Sequence, residues 1–186
     1  QDPAPSAPGP ESAPTPAGED LSESAAVQAP PDAKPPRHVV IAGFGPGGRA
    51  IADRLASMSV PYVIVELNAS TVQRQASAGR RVVYGDISNP DVLDAAGITG
   101  AVAVIVTIPD DDAALRAVAA VRQAAPEVFI GVRTQFLSGK MRALSLGADE
   151  VVVAEVAVAS AMDRELFTAL SKRLDRSGMT ADRNQR

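Results

Sequence analysis

The 186-residue chain contains no cysteine, no tryptophan and a single histidine, His38. Without thiols there is no disulfide scaffold, no thiolate nucleophile and no cysteine-ligated zinc. One imidazole cannot build a multi-histidine metal centre or a repeated Ser/His relay. No apolar run approaches the ~18–20 residues of a membrane span. A basic surface is missing as well: residues 38–186 carry 16 charges of each sign. Counterion release needs clustered Lys and Arg, so no nucleic-acid partner is expected. No basic segment followed by an apolar one marks a signal peptide. With Gln at position 1, the chain reads as a piece of a longer product, a processed secretory precursor being the other reading.

What is present falls into two unequal parts. Residues 1–37 hold 10 of the 15 prolines, 6 acidic and 2 basic side chains and no aromatic residue. Such a Pro/Ala-rich acidic segment cannot bury enough apolar surface to offset its ordering entropy, and it is expected to be a disordered linker. From residue 38, short β-branched runs alternate with helical spacings. HVVIA (His38–Ala42), YVIVE (Tyr62–Glu66), RVVY (Arg81–Tyr84), AVAVIV (Ala101–Val106), Phe129–Val132 and Glu150–Val153 read as six strands. The helical segments between them run from Arg49, Ser70, Asn89, Asp110 and Leu137, and a long final helix runs from Ala154 to about Leu174, followed by a frayed polar tail at 175–186. Asn89-Pro90 reads as cap and first turn, and Gly97 as a stop. This alternation predicts an α/β domain over 38–174: a Rossmann-type doubly wound parallel sheet in the order 3-2-1-4-5-6, covered on both faces.

The turn after the first strand is GFGPGG, Gly43–Gly48. In a dinucleotide-binding turn, Gly43 would permit the tight turn, Gly45 the close approach of a diphosphate, and Gly48 close helix–sheet packing. The alternative is a tight strand–helix turn and nothing more. Glu66 lies 23 residues after Gly43 at the end of the second strand. A carboxylate there accepts ribose hydroxyls and repels a 2′-phosphate, disfavouring NADP. Asp86, in YGD, could accept from an adenine amino group, order its loop or cap the next helix. Thr107 lies past the fourth strand at the switch point, where a phosphate contact and ordinary loop chemistry weigh evenly. Arg133 could meet phosphate or a carboxylate, and Arg49 could be a phosphate contact or a solvated helix residue. Asp110–Asp112 read as a solvated helix start, a divalent-cation site being the lesser alternative, and His38 as a surface residue.

Signs of catalysis are sparse. A short-chain dehydrogenase needs Tyr with Lys four residues on, but Tyr62 is followed so by Glu66 and Tyr84 by Ser88. With no acid/base pair and only one helix after the sixth strand, the nucleotide is expected to be sensed and not consumed. That final helix carries Val158, Met162, Leu166, Leu170 and Leu174 in one stripe. So wide an apolar band predicts packing against a second copy as a homodimer, the alternative being closure of the chain's own core.

VVIAGFGPGGRAIADRL, YVIVELN, RVVYGDISNPDVLDAAGI, AVAVIVTIPD, IGVRTQFL and LGADEVV stand in the order and spacing of the RCK N-terminal (TrkA-N) domain. Over about 38–170 the chain most resembles the cytoplasmic C-terminal domain of Kef-type monovalent cation:proton antiporters. The resemblance implies a regulatory domain at the cytoplasmic face of the cell membrane that binds NAD(H) or an adenine nucleotide such as AMP or ATP. It also implies dimerisation and control of a membrane-embedded cation transporter part, in the same or a separate chain. Carried over by position, the ligand contacts would be Gly43, Phe44, Gly45, Gly48, Glu66, Asp86, Thr107 and Arg133. Pro46 stands where many relatives carry Arg, Gln135 replaces a second basic residue, and Val153–Val156 depart from the acidic and aromatic pattern there. In this reading 1–37 tethers the domain. The alternatives are a nucleotide-binding fragment of an NAD(P)-dependent oxidoreductase and a soluble subunit that docks on a separate channel.

Overall fold

A run of five apolar or β-branched residues can be buried end to end only in a strand with neighbours on both sides and cover on both faces. His38–Ala42 (β1) meets that condition, with every residue buried. In the computed structural model, which describes residues 37–177, β1 lies between β2 (Tyr62–Glu66) and β4 (Ala101–Val106). The sheet continues through β3 (Val82–Tyr84), β5 (Phe129–Thr134) and β6 (Glu150–Val153). All pairs are parallel, and the order is β3-β2-β1-β4-β5-β6. That is the doubly wound sheet expected from the sequence.

Among the described residues six α-helices connect or follow the strands: α1 (Pro46–Ser57), α2 (Ala69–Ser77), α3 (Pro90–Ala96), α4 (Asp111–Ala124), α5 (Leu137–Ser145) and α6 (Ala154–Ser177). Their ends are set by local chemistry. Asn68, Asn89 and Asp110 each accept a first-turn N–H through the side chain, and Gly97 closes α3 in the left-handed conformation at φ 70°. Helix α1 begins three residues before the sequence spacing suggested, because Pro46 is preorganised for the first helical position. β5 extends two residues past the expected Val132, since Arg133 and Thr134 pair with Val152 and Val153.

One sheet face carries the main core. Val40, Val65, Val104, Val106, Ile130 and Val132 pack there with Leu93, Leu115, Val118 and Val121 from α3 and α4. On the other face α1 seals a smaller cluster of Ile41, Phe44, Ala52 and Ile64. The expected cover on both faces is incomplete. Beyond β1 the second face leaves Phe129 45% and Val152 54% exposed. Helix α6 starts directly from Val153 with no reversing turn and buries none of its residues, so it does not fold back over this half of the sheet.

His38 also departs from expectation: it is buried, at 2% exposure. Because β1 is central, even its first residue is enclosed, and Nε2 lies 2.9 Å from the Ala96 carbonyl at the end of α3. A carbonyl only accepts, so Nε2 carries a proton. The linker proposed for 1–37 lies outside the described residues apart from Arg37. The proposed tail at 175–186 overlaps α6 as far as Ser177, and its remainder also lies outside them. No helix among the described residues is long and apolar enough to cross a membrane.

Candidate functional site

Parallel register brings the chemistry-bearing residues to one edge. Ala42 pairs with Val65 and Val106, Val106 with Val132, and Glu66 with Tyr84. One step further along, Glu66, Gly43, Thr107 and Arg133 form a row at the C-terminal ends of β2, β1, β4 and β5. At ~4.8 Å per strand the row from Tyr84 to Arg133 spans about 19 Å. This edge, outside the switch between β1 and β4, is where open α/β sheets bind ligands.

The glycines in the turn differ in what requires them. Gly43 takes φ +90°, a conformation other residues rarely adopt. At Gly48 an added Cβ would stand 2.1 Å from the Gly43 carbonyl oxygen, so the chain itself demands glycine there. Gly45 is unlike both. Its backbone is extended (φ −71°, ψ −165°), it is exposed, and a Cβ there would meet nothing within 4 Å. The fold does not explain that glycine, whereas a group lying against the backbone in front of it would.

The two helix N-termini flanking the switch point contrast in the same way. Helix α4 supplies its own anion: Asp110 accepts from Ala113 N–H at 2.8 Å, with Asp111 and Asp112 in the first turn. Helix α1 has no side-chain cap and no acidic residue in its first turn. With Pro46 lacking an N–H, the amides of Gly47 and Gly48 at the positive end of the helix dipole have no intrahelical partner. An external anion satisfies them best.

Glu66 is half-buried beside this turn. Its Oε2 accepts from Phe44 N–H at 2.7 Å and its Oε1 from Asn68 N–H at 2.8 Å. Two amides thus aim the carboxylate, and each oxygen keeps a lone pair for a ribose hydroxyl. Phe44 places only its backbone here, since its ring is buried under α1 with the Arg80 guanidinium 5.5 Å from its centroid. Thr107 donates its hydroxyl proton to the Gly43 carbonyl at 2.9 Å and so latches the turn to β4. Asp86 Oδ1 accepts from both Ser88 N–H and Ser88 Oγ, at 2.9 and 2.8 Å, which orders its loop. Arg133 Nη1 donates to the Pro109 carbonyl at 3.0 Å and Nη2 to Gln135 Oε1. Arg49 is exposed on α1 and forms no ion pair among the described residues.

The structure therefore gathers Gly43, Phe44, Gly45, Gly48, Glu66, Thr107 and Arg133 along one edge, with Asp86 just past the neighbouring strand end. Sequence reasoning missed Asn68, whose amide orients Glu66, and the exposed Leu67 (59%) and Tyr84 (61%) next to that carboxylate. Strand parity carried the signal for Tyr84, which shares a register position with Glu66. No group of acidic or histidine side chains among the described residues could hold a metal ion. A cleft of about 470 Å³ opens around Arg122, Phe129 and Asp149. Arg122 is committed there to the Gly147, Pro126 and Val128 carbonyls and to Asp149, which makes it a structural clasp.

The family model of the TrkA-N domain matches residues 39–154, most of this sheet and its switch point. The chain belongs to the TrkA-N family. A protein of Alkalimonas amylolytica named as a K(+) efflux antiporter (KefB) is 35% identical over 116 residues, which are 62% of this chain and 18% of the relative. The chain thus spans about a fifth of the length of such relatives. The TrkA-N domain of the Escherichia coli inner membrane protein ybaL superposes with TM-score 0.66 at 27% identity, covering 68% of this chain and 93% of that one. The Shewanella denitrificans Kef C-terminal domain, in AMP-bound form, matches with TM-score 0.64 at 26% identity, covering 76% and 88%.

Proposed function

We propose that this TrkA-N domain binds a nucleotide with a free 2′-hydroxyl, NAD(H) or an adenine nucleotide, without consuming it, and thereby regulates cation:proton antiport by a membrane-embedded partner. The observation that carries the reading is Gly45: an exposed glycine that its own fold does not require, at an uncapped helix N-terminus. In this reading the Gly47 and Gly48 amides take the phosphates, Glu66 the ribose diol, Asp86 the base, and Thr107 and Arg133 the far side of the ligand. The AMP-bound Kef domain supports the ligand class, and the antiporter relative supports the transporter partner; the proposal places the domain at the cytoplasmic membrane face.

Dimerisation through α6 belongs to the same proposal. Met162, Leu166, Phe167 and Leu170 are 49–63% exposed on a helix that touches no core of its own. The bare half of the sheet around Phe129 and Val152 gives a second copy an apolar surface to cover. Calorimetric titration with NAD+, NADH, AMP, ATP and NADPH tests the ligand class. Saturable binding of a 2′-hydroxyl nucleotide is expected, and tightest binding of NADPH would overturn the role of Glu66.

A further inference from the structure

Helix α6 has 24 residues and none of them is buried, so its direction is set at its root. The root is tied at one place to the loop after β5. Glu155 N–H donates to the Gln135 carbonyl at 3.2 Å, and Glu155 Oε1 accepts from Leu137 N–H at 2.9 Å. Gln135 is a junction. Its own N–H donates to Asp111 Oδ1 at 2.7 Å, at the start of α4, and its side-chain Oε1 accepts from Arg133. The other arm of Arg133 holds the Pro109 carbonyl, two residues after Thr107, whose hydroxyl holds Gly43. A chain of hydrogen bonds and short backbone steps thus runs from the glycine turn to the base of α6.

We propose that Gln135 and Glu155 are positioning residues that transmit occupancy of the nucleotide site to α6, with Arg133 as the moving part; this rests on the nucleotide reading above. Arg133 and Gly43 are separated by two strand intervals, about 10 Å, within the combined reach of a guanidinium arm and a diphosphate. Both acceptors that Arg133 now uses are neutral oxygens, and a phosphate outcompetes them by charge and by its fit to the guanidinium fork. When Arg133 turns to the phosphate, Gln135 loses its side-chain anchor. The 135–137 loop and the first turn of α6 then loosen together, and the helix is free to take a new direction.

The test is hydrogen–deuterium exchange on the whole chain, with and without saturating AMP or NAD+, beside calorimetry on the same samples. Nucleotide is expected to speed exchange at the amides of 135–137 and 154–158. In Gln135→Ala these amides exchange fast already and respond no further. Nucleotide affinity in this variant rises about two- to tenfold, because binding no longer breaks the Arg133–Gln135 bond. In Gln135→Glu a charged acceptor competes with the phosphate for Arg133, so nucleotide affinity falls below that of the unaltered chain and the exchange response shrinks. Binding to the unaltered chain with no exchange change at 154–158, or a full response in Gln135→Ala, overturns the coupling and leaves the site standing. No binding of either nucleotide to the unaltered chain overturns the site and the coupling together.

Discussion

Replacing Gly45 by alanine separates what the fold needs from what a ligand needs. The added Cβ meets no atom within 4 Å, and the extended backbone at this position suits alanine. The expected stability loss is that of a poorer N-cap, about 0.5–1 kcal/mol in urea unfolding. In the proposed nucleotide complex a diphosphate lies against this stretch of backbone, and a methyl group there would push it off the first-turn amides. Losing one such bond to a charged oxygen costs about 1.5–3 kcal/mol, or roughly 10- to 150-fold in affinity. Gly48→Ala is the contrasting control. Its Cβ falls 2.1 Å from a backbone oxygen, so strand and helix must separate, at a cost of about 3 kcal/mol. Urea melts and calorimetry on both variants check the pair. Unchanged nucleotide affinity in Gly45→Ala would refute the assignment of that open space to a ligand.

Glu66→Ala removes the acceptor shared by the Phe44 and Asn68 amides, and nucleotide affinity should fall by about 1.5–3 kcal/mol in calorimetry; an unchanged value would make Glu66 a turn-ordering residue only. His38→Phe keeps the volume but leaves the Ala96 carbonyl without its donor, so the chain should lose about 1–3 kcal/mol in urea unfolding with nucleotide affinity unaltered. Leu166→Asp with Leu170→Asp places charge on the exposed stripe of α6, and sedimentation should show a dimer becoming a folded monomer. An unaltered chain that sediments as a monomer at tens of micromolar with and without nucleotide would end the dimer reading.

Local signals in the sequence carried most of the fold. β1, β2, β4 and β6 each hold a run of three or more apolar residues, and the bounds expected from those runs are the bounds observed. Asn89 and Gly97 act on their own neighbours, so their capping roles were legible without tertiary information, whereas Asp110, read as the first residue of its helix, is the N-cap. The end of β5 was not, because Arg133 and Thr134 are polar and join the sheet only through pairing with β6. His38 was misjudged for the same reason: its burial follows from strand order, and its partner Ala96 lies 58 residues away. The bare half of the second face depends on α6 failing to turn back, which a stripe of apolar residues does not reveal. At the site the glycine spacing and Glu66 were visible as a pattern, whereas Gln135 and Glu155 matter through bonds between residues far apart in the chain.

Calorimetry of the 186-residue chain against NADH and NADPH, two ligands differing only at the ribose 2′ position, tests the central claim most directly. A turn that offers amides to the diphosphate and a fixed carboxylate to the ribose predicts saturable, one-site binding of NADH. NADPH should bind at least about tenfold more weakly, because its 2′-phosphate meets the Glu66 carboxylate. Equal or tighter binding of NADPH, or no heat of binding from either dinucleotide or from AMP, would contradict the account.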